Sequence, residues 1–177
     1  ISGKNMTRDN AKPGDIVAVT GQIGNSIAGF EISEKDINTS NKFTEKFFHP
    51  IPRIKESKLA IENGIVCSMD LSDGLIKDLY RICKASNVKI EIDFEDINYD
   101  QDLDNMYKGN IENKILSSGE EYELILIGPT SKIKNLEGKI DIKIIGRVSE
   151  SNKPILEFYK NKKSINLSSE GFDHFGK

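Results

Sequence analysis

Long apolar runs are missing from these 177 residues, and none approaches the ~20 positions a helix needs to cross a bilayer. Cysteine is scarce. Cys67 and Cys83 stand far apart, with no C-x-x-C and no nearby histidine pair, which argues against zinc and for two reduced, buried thiols in a cytosolic protein. The two histidines, His49 and His174, each lack a catalytic partner and read as structural hydrogen-bonders. There is no Ser-His-Asp arrangement and no Gly-x-x-x-x-Gly-Lys loop, so a serine-type nucleophile and a P-loop grip on phosphate are both excluded. No internal repeat, low-complexity tract or signal peptide is recognised. An excess of charge of one sign is missing too: 25 basic against 28 acidic residues gives −3, which offers nothing to a polyanion such as nucleic acid.

What is present suits a soluble globular domain. Hydrophobic residues make up 37% and charged residues 30%, over a length that fits one domain with a substantial core. The chain begins on Ile1 rather than Met and reaches a turn and a strand almost at once, so it reads as a piece of a longer protein.

The pattern along the chain alternates between strand and helix. Lys12-Pro13-Gly14-Asp15 is a turn, followed by a buried strand over 16–20. A glycine-bounded loop leads into a helix over 25–32, and 33–48 reads as a polar surface excursion with some helix. His49-Pro50-Ile51-Pro52-Arg53 must be extended, because each proline disfavours the helical region at its predecessor. A helix over 53–63 ends at Asn63-Gly64, and a short strand follows over 65–70. The clearest helix spans 72–85, where Leu75, Leu79, Ile82 and Cys83 form one apolar stripe. Residues 88–94 alternate as a half-exposed strand, and 96–114 are polar with weak helical signals. Strands are expected over 122–127, over 140–148 with a break at Gly146, and over 154–159; Ile165 onward reads as a tail. The expected fold is α/β (α+β), a mixed β-sheet covered by helices.

Chemistry concentrates in four places. In Met69-Asp70-Leu71-Ser72-Asp73-Gly74-Leu75 a strand ends on Asp70 and a helix begins. Two carboxylates three residues apart at such a junction can hold a hard cation such as Mg²⁺, and the helix start offers N–H groups to phosphate oxygens. Simple capping by Ser72 or Asp73 is the competing reading. In Ser117-Ser118-Gly119-Glu120-Glu121-Tyr122-Glu123-Leu124, three acids crowd the start of a buried strand. Alternation would instead send Glu121 and Glu123 to a solvent face. Gly171-Phe172-Asp173-His174-Phe175 places aromatics in a polar tail, where they dock on the core or stack on a flat ring. Arg8 is a candidate phosphate ligand by its planar guanidinium, or else an ordinary surface arginine.

Taken in order, these segments resemble the thiamine-monophosphate kinase family. They are Arg8 to Asp15, Val19-Thr20-Gly21-Gln22-Ile23-Gly24, His49 to Arg53, Asp70-Leu71-Ser72-Asp73-Gly74-Leu75, Ser118 to Leu124, Gly146-Arg147-Val148 and Gly171 to Phe175. The family sits in a superfamily with aminoimidazole ribonucleotide synthetase, selenophosphate synthetase and a hydrogenase-maturation protein. The resemblance implies a PurM-like C-terminal domain with partial ferredoxin-like topology. It also implies an absent N-terminal half that builds most of the nucleotide and magnesium site and forms a homodimer. By the same resemblance Asp70 and Asp73 would ligate Mg²⁺, with Asp73 central to catalysis. Ser72 and Arg8 would contact ATP, Glu120 or Glu121 would meet the substrate, and Phe172 would pack on the thiamine moiety. The reaction implied is ATP plus thiamine monophosphate giving ADP plus thiamine diphosphate, in the cytoplasm and without membrane or nucleic acid. This chain has Ser118-Gly119-Glu120-Glu121-Tyr122 where the family usually has Gly-Gly-Glu-Asp-Tyr, and Phe172 where a Trp is common. Another enzyme of the superfamily, or a non-catalytic binding module with the same fold, is the alternative.

Overall fold

Dense β-branched runs make the centre of the molecule a sheet. The computed structural model describes residues 5–165. Its strands are β1 (Ile16–Thr20), β2 (Cys67–Asp70), β3 (Lys89–Asp93), β4 (Leu124–Gly128), β5 (Ile142–Ser149), β6 (Ile155–Lys160) and β7 (Lys163–Ser164). They pair in the order β2-β4-β1-β5-β3-β6-β7. Every pairing is antiparallel except β3 with β6. The central strands therefore interleave two split βαβ units: β1 and β3 run the same way with β5 between them, and β4 and β5 run the same way with β1 between them. This is the ferredoxin-like theme in partial form.

Helices cover both faces. They are α1 (Asn25–Lys35), α2 (Lys42–Phe48), α3 (Ile54–Glu62), α4 (Leu75–Ser86), α5 (Asp102–Met106), α6 (Ile111–Ser117) and α7 (Thr130–Lys134), with a 3-10 turn at Phe94–Asp96. Period-two alternation sorts the strand residues. Val17, Val19, Ile125, Ile127, Ile90 and Ile92 join the larger core with Leu75, Leu79 and Ile82 of α4 and Ile115 and Leu116 of α6. Ala18 and Leu126 point the other way, onto Ala60 of α3 and Ile133 of α7. Fully burying side chains of this size stabilises by roughly 1.5–3 kcal/mol each, before chain entropy is set against it.

The expected mixed sheet covered by helices is what forms, with local differences. The strand expected from Tyr122 begins at Leu124, because Glu120 and Tyr122 adopt φ of 58° and 53°, outside the extended region. The break expected at Gly146 is a bulge inside a continuous β5: pairing with β1 shifts register between Val17 and Ala18. Helix α7 and strand β7 carry too few residues to show a period. Cys67 and Cys83 are free and buried, and burial pushes both thiols up to about 12, which leaves them unreactive.

Candidate active site

The site begins where β2 and β4 end side by side. Asp70 pairs with Leu124 in the sheet. Beyond it the two chains stay zipped through an irregular stretch. Leu71 N–H donates to Glu123 O (2.8 Å), Tyr122 N–H to Leu71 O (2.9 Å) and Glu120 N–H to Ser72 O (2.8 Å). Gly74 makes the approach of α4 to α6 attainable. Its φ of 103° is unfavourable for other residues, and a Cβ there would lie 2.8 Å from Ser117 O.

This zipper forms one wall of a cavity of about 340 Å³. Ser72, Asp73, Gly119 and Glu120 face Ser26, Ile27 and Phe30 of α1 and Phe47 of α2. Phe30 and Phe47 meet edge to face with ring centroids 5.7 Å apart. One side of the cavity is thus polar and anionic, the other apolar and aromatic. Such a lining suits a ligand with a flat apolar ring and polar or charged ends.

The predicted residues divide clearly. Ser72, Asp73 and Glu120 come together in the cavity. Tyr122 donates its hydroxyl to Glu120 Oε2 at 2.5 Å. Asp70 is exposed at the strand end and does not line the cavity. Arg8 is elsewhere. Its carbonyl accepts from Ser86 Oγ at 3.0 Å, and Ser86 ends α4, a helix of 12 residues, so it lies about 18 Å from the end that carries Asp73. Phe172 and His174 lie outside the described residues.

The capping reading is corrected. Neither Ser72 nor Asp73 caps α4; Gly74 occupies that position without a side-chain bond. Asp78, on the helix's own first turn, reaches back instead. Its Oδ2 accepts from the Ser72 and Asp73 N–H groups, both at 2.9 Å, and Arg81 donates to its Oδ1 at 2.7 Å. Burial raises the Asp78 pKa, and those two N–H donors and Arg81 oppose the rise. Arg81 also pairs with Asp73. Asp78 was detectable: it interrupts the apolar stripe of Leu75, Leu79 and Ile82, and an acid there needs partners.

The solvent-face reading of Glu121 and Glu123 is also corrected, since both are wholly buried. The positive φ values on either side break the alternation on which that reading depended. Glu123 binds Arg53 at two points, Nε to Oε2 and Nη2 to Oε1, each 2.6 Å, with Lys46 at 2.7 Å and Thr20 Oγ1 at 2.6 Å. This cluster borders a second basin of about 320 Å³, lined by Lys42, Lys46, Arg53, Asp100 and Asp141 among others. Glu121 lies under α1. Its Oε1 accepts from Gly24 N–H (2.7 Å), Ser26 N–H (3.1 Å) and Ser118 Oγ (2.5 Å). Burial pushes it up to about 7 against those three donors and the Lys46 charge.

Among the described residues no group of three or more His, Cys, Asp or Glu is placed to hold a metal. No helix among them is long and apolar enough to cross a membrane.

Comparison with known proteins follows the same outline. The family model for AIR synthase related protein, C-terminal domain, matches residues 12–158. A thiamine-monophosphate kinase of Buchnera aphidicola subsp. Schizaphis graminum is 36% identical, covering 99% of this chain and 57% of the relative. One from Pyrococcus horikoshii is 34% identical, covering 96% and 53%. The solved structure of AaThiL complexed with AMPPCP and TMP superposes with a TM-score of 0.79 at 30% identity, covering 95% of this chain and 53% of that one. The hydrogenase maturation protein HypE in complex with ATP, at 16% identity and TM-score 0.67, shares the fold. The chain spans about half the length of the curated relatives it matches.

Proposed function

Because the chain belongs to the family of AIR synthase related protein C-terminal domains, we propose that it is the C-terminal domain of a thiamine-monophosphate kinase. The whole enzyme would move the γ-phosphoryl group of ATP onto thiamine monophosphate, giving ADP and thiamine diphosphate. The observation that carries the reading is the two-sided cavity: an aromatic wall of Phe30 and Phe47 facing Ser72, Asp73 and Glu120. It comes in a chain whose likeness to such kinases extends over nearly its whole length.

Thiamine monophosphate combines flat rings, an amino group, a positive thiazolium and a phosphate. The apolar wall takes a ring by packing. Glu120 offers an acceptor to the amino group, and the acidic side of the cavity favours the thiazolium charge. The attacking atom is a phosphate oxygen, already anionic at neutral pH, so no general base is needed. The barrier is the approach of two anions, which positioning and charge neutralisation lower.

Asp73 is a hard oxygen donor on the cavity wall, and with Asp70 at the neighbouring strand end it would hold magnesium beside phosphate oxygens and water. When bound, the ion would supply neutralisation of phosphate charge. Arg81 holds Asp73 in place for that role. Ser72 lines the cavity and would contact the nucleotide; Arg8, at the far end of α4, has no part at this cavity in our reading. The remainder of a full-length protein would complete the nucleotide and metal site, carry the homodimer contacts and work in the cytoplasm.

The test is Asp73→Asn in a full-length protein carrying this chain. Turnover of thiamine monophosphate is expected to fall by about a hundredfold or more, the scale of losing one preorganised charge contact, while the melting temperature holds. Near-normal turnover would reject the role of Asp73. Failure of the unaltered full-length protein to make thiamine diphosphate would reject the function.

A further inference from the structure

Glu121 takes no direct part in the cavity, yet it joins two of its walls. Through Oε1 it holds the start of α1 at Gly24 and Ser26, and it holds Ser118 in the loop that continues to Gly119 and Glu120. Ser118 completes the joint by accepting from Ile27 N–H at 3.3 Å. Ser26 and Ile27 line one side of the cavity, Gly119 and Glu120 another. Gly24 carries φ of 91°, the left-handed turn that aims its N–H at the carboxylate. The other carboxylate oxygen, Oε2, is buried with no partner.

We propose that Glu121 is a positioning residue whose carboxylate, with Ser118, sets the spacing between the α1 wall and the Gly119-Glu120 wall of the cavity.

An ionised carboxylate binds backbone N–H groups and a hydroxyl more tightly than a neutral acid does, and a carboxylate at a helix start also meets the positive end of the helix dipole. One oxygen serving three donors on two segments leaves neither segment free to move alone. The balance is close to even at physiological pH, since burial has already pushed the acid up to about 7. The neighbouring charged groups are few. Lys46 of α2 favours the carboxylate form. Tyr107, between α5 and α6, faces both Glu121 and Glu31. Lys114 pairs with Glu31 at 2.5 Å and lies over the Tyr107 ring. Glu123 holds its own cations, Arg53 and Lys46. The proton of the acid form has Oε2 as its open place, so protonation weakens the three bonds at Oε1 without displacing them.

Two variants test this. Glu121→Gln keeps the Oε1-type acceptor and fixes the neutral state; Glu121→Asp keeps the charge and shortens the reach by one methylene. The first arm follows the amide resonances of the 177-residue chain by NMR from pH 5.5 to 8.5. Gly24, Ser26, Gly119 and Glu120 are expected to titrate together near 7 in the unaltered protein, and none of them near 7 in Glu121→Gln. Separate transitions for the two walls, or an unchanged titration in Glu121→Gln, would overturn the proposal. This arm is independent of what the cavity binds.

The second arm rests on the thiamine-monophosphate reading and uses the full-length protein. Glu121→Asp should lower kcat/KM for thiamine monophosphate by about ten- to a hundredfold, as a sub-ångström to ångström misplacement does. Glu121→Gln should lose the change across pH 7 that Glu120→Gln, a wall residue left in place, retains. Kinetics of Glu121→Asp equal to the unaltered protein would overturn the proposal. Coupled walls by NMR in a protein that does not turn over thiamine monophosphate would overturn the function and leave the positioning role standing.

Discussion

Glu121 and Glu123 stand two residues apart, both wholly buried, and the protein treats them in opposite ways. Glu123 is matched by full charges: the Arg53 fork, Lys46 and the Thr20 hydroxyl. Glu121 is matched by neutral donors alone, two N–H groups and a hydroxyl. The first arrangement ties β4 to the start of α3 and to α2 through ion pairs. The second leaves an acid near its midpoint at neutral pH, beside the cavity. Burial is therefore no guide to role; two acids buried alike are held by partners of different charge.

The largest test of that contrast removes a charge. Arg53→Met should destabilise the protein by about 3–5 kcal/mol in urea unfolding, because Glu123 is left buried with Lys46 as its one remaining cation. A cost under about 1 kcal/mol would mean that Glu123 does not need its arginine. Next comes Glu121→Ala, which strands the Gly24 and Ser26 N–H groups. We expect a loss of about 2–3 kcal/mol by the same measurement. Gly74→Ala leaves both acids intact and strains the turn beside the cavity. About 1–3 kcal/mol should be lost, from the φ of 103° and the contact with Ser117 O.

The smallest effect is the most specific. Glu121 has a folded-state pKa above its ordinary value of 4.5, at about 7. Between those values the native state binds more protons than the unfolded chain, so this group's contribution to stability falls as pH rises. It is fully present below about 4.5 and gone above about 7. Unfolding free energy of the unaltered protein, relative to Glu121→Gln, should therefore decline with pH across that window, by at most about 1.4 kcal/mol per unit. A flat difference would show that Glu121 titrates normally.

Much of the sheet and of the site was legible from residue order. A dense β-branched run marked 16–20 and strong periodicity marked 72–85 and 88–94, where local preference and burial agree. The Asp70–Leu75 and Ser118–Leu124 segments stood out as acids at element boundaries, and the fold brings Ser72, Asp73 and Glu120 into one cavity. Long-range partners were not legible. Nothing local in His49 to Arg53 says that Arg53 answers Glu123, 70 positions on. Nor does Ser118-Gly119-Glu120-Glu121 reveal which glutamate turns inward, because that depends on left-handed residues at 120 and 122 rather than on strand alternation. Helix α7 and strand β7 escaped because five and two residues hold less than two turns or one pleat repeat.

The seam between Leu71-Ser72 and Glu120-Glu123 has a consequence for assembly. Its two halves lie some fifty positions apart in the chain and meet where β2 pairs with β4. A partly folded chain lacking that edge has no pocket to offer. Any small molecule that fills the pocket selects the completed sheet, so its binding energy is added to the folding equilibrium by mass action. Thermal shift with such a molecule thus reports on whether the outermost strand is in place.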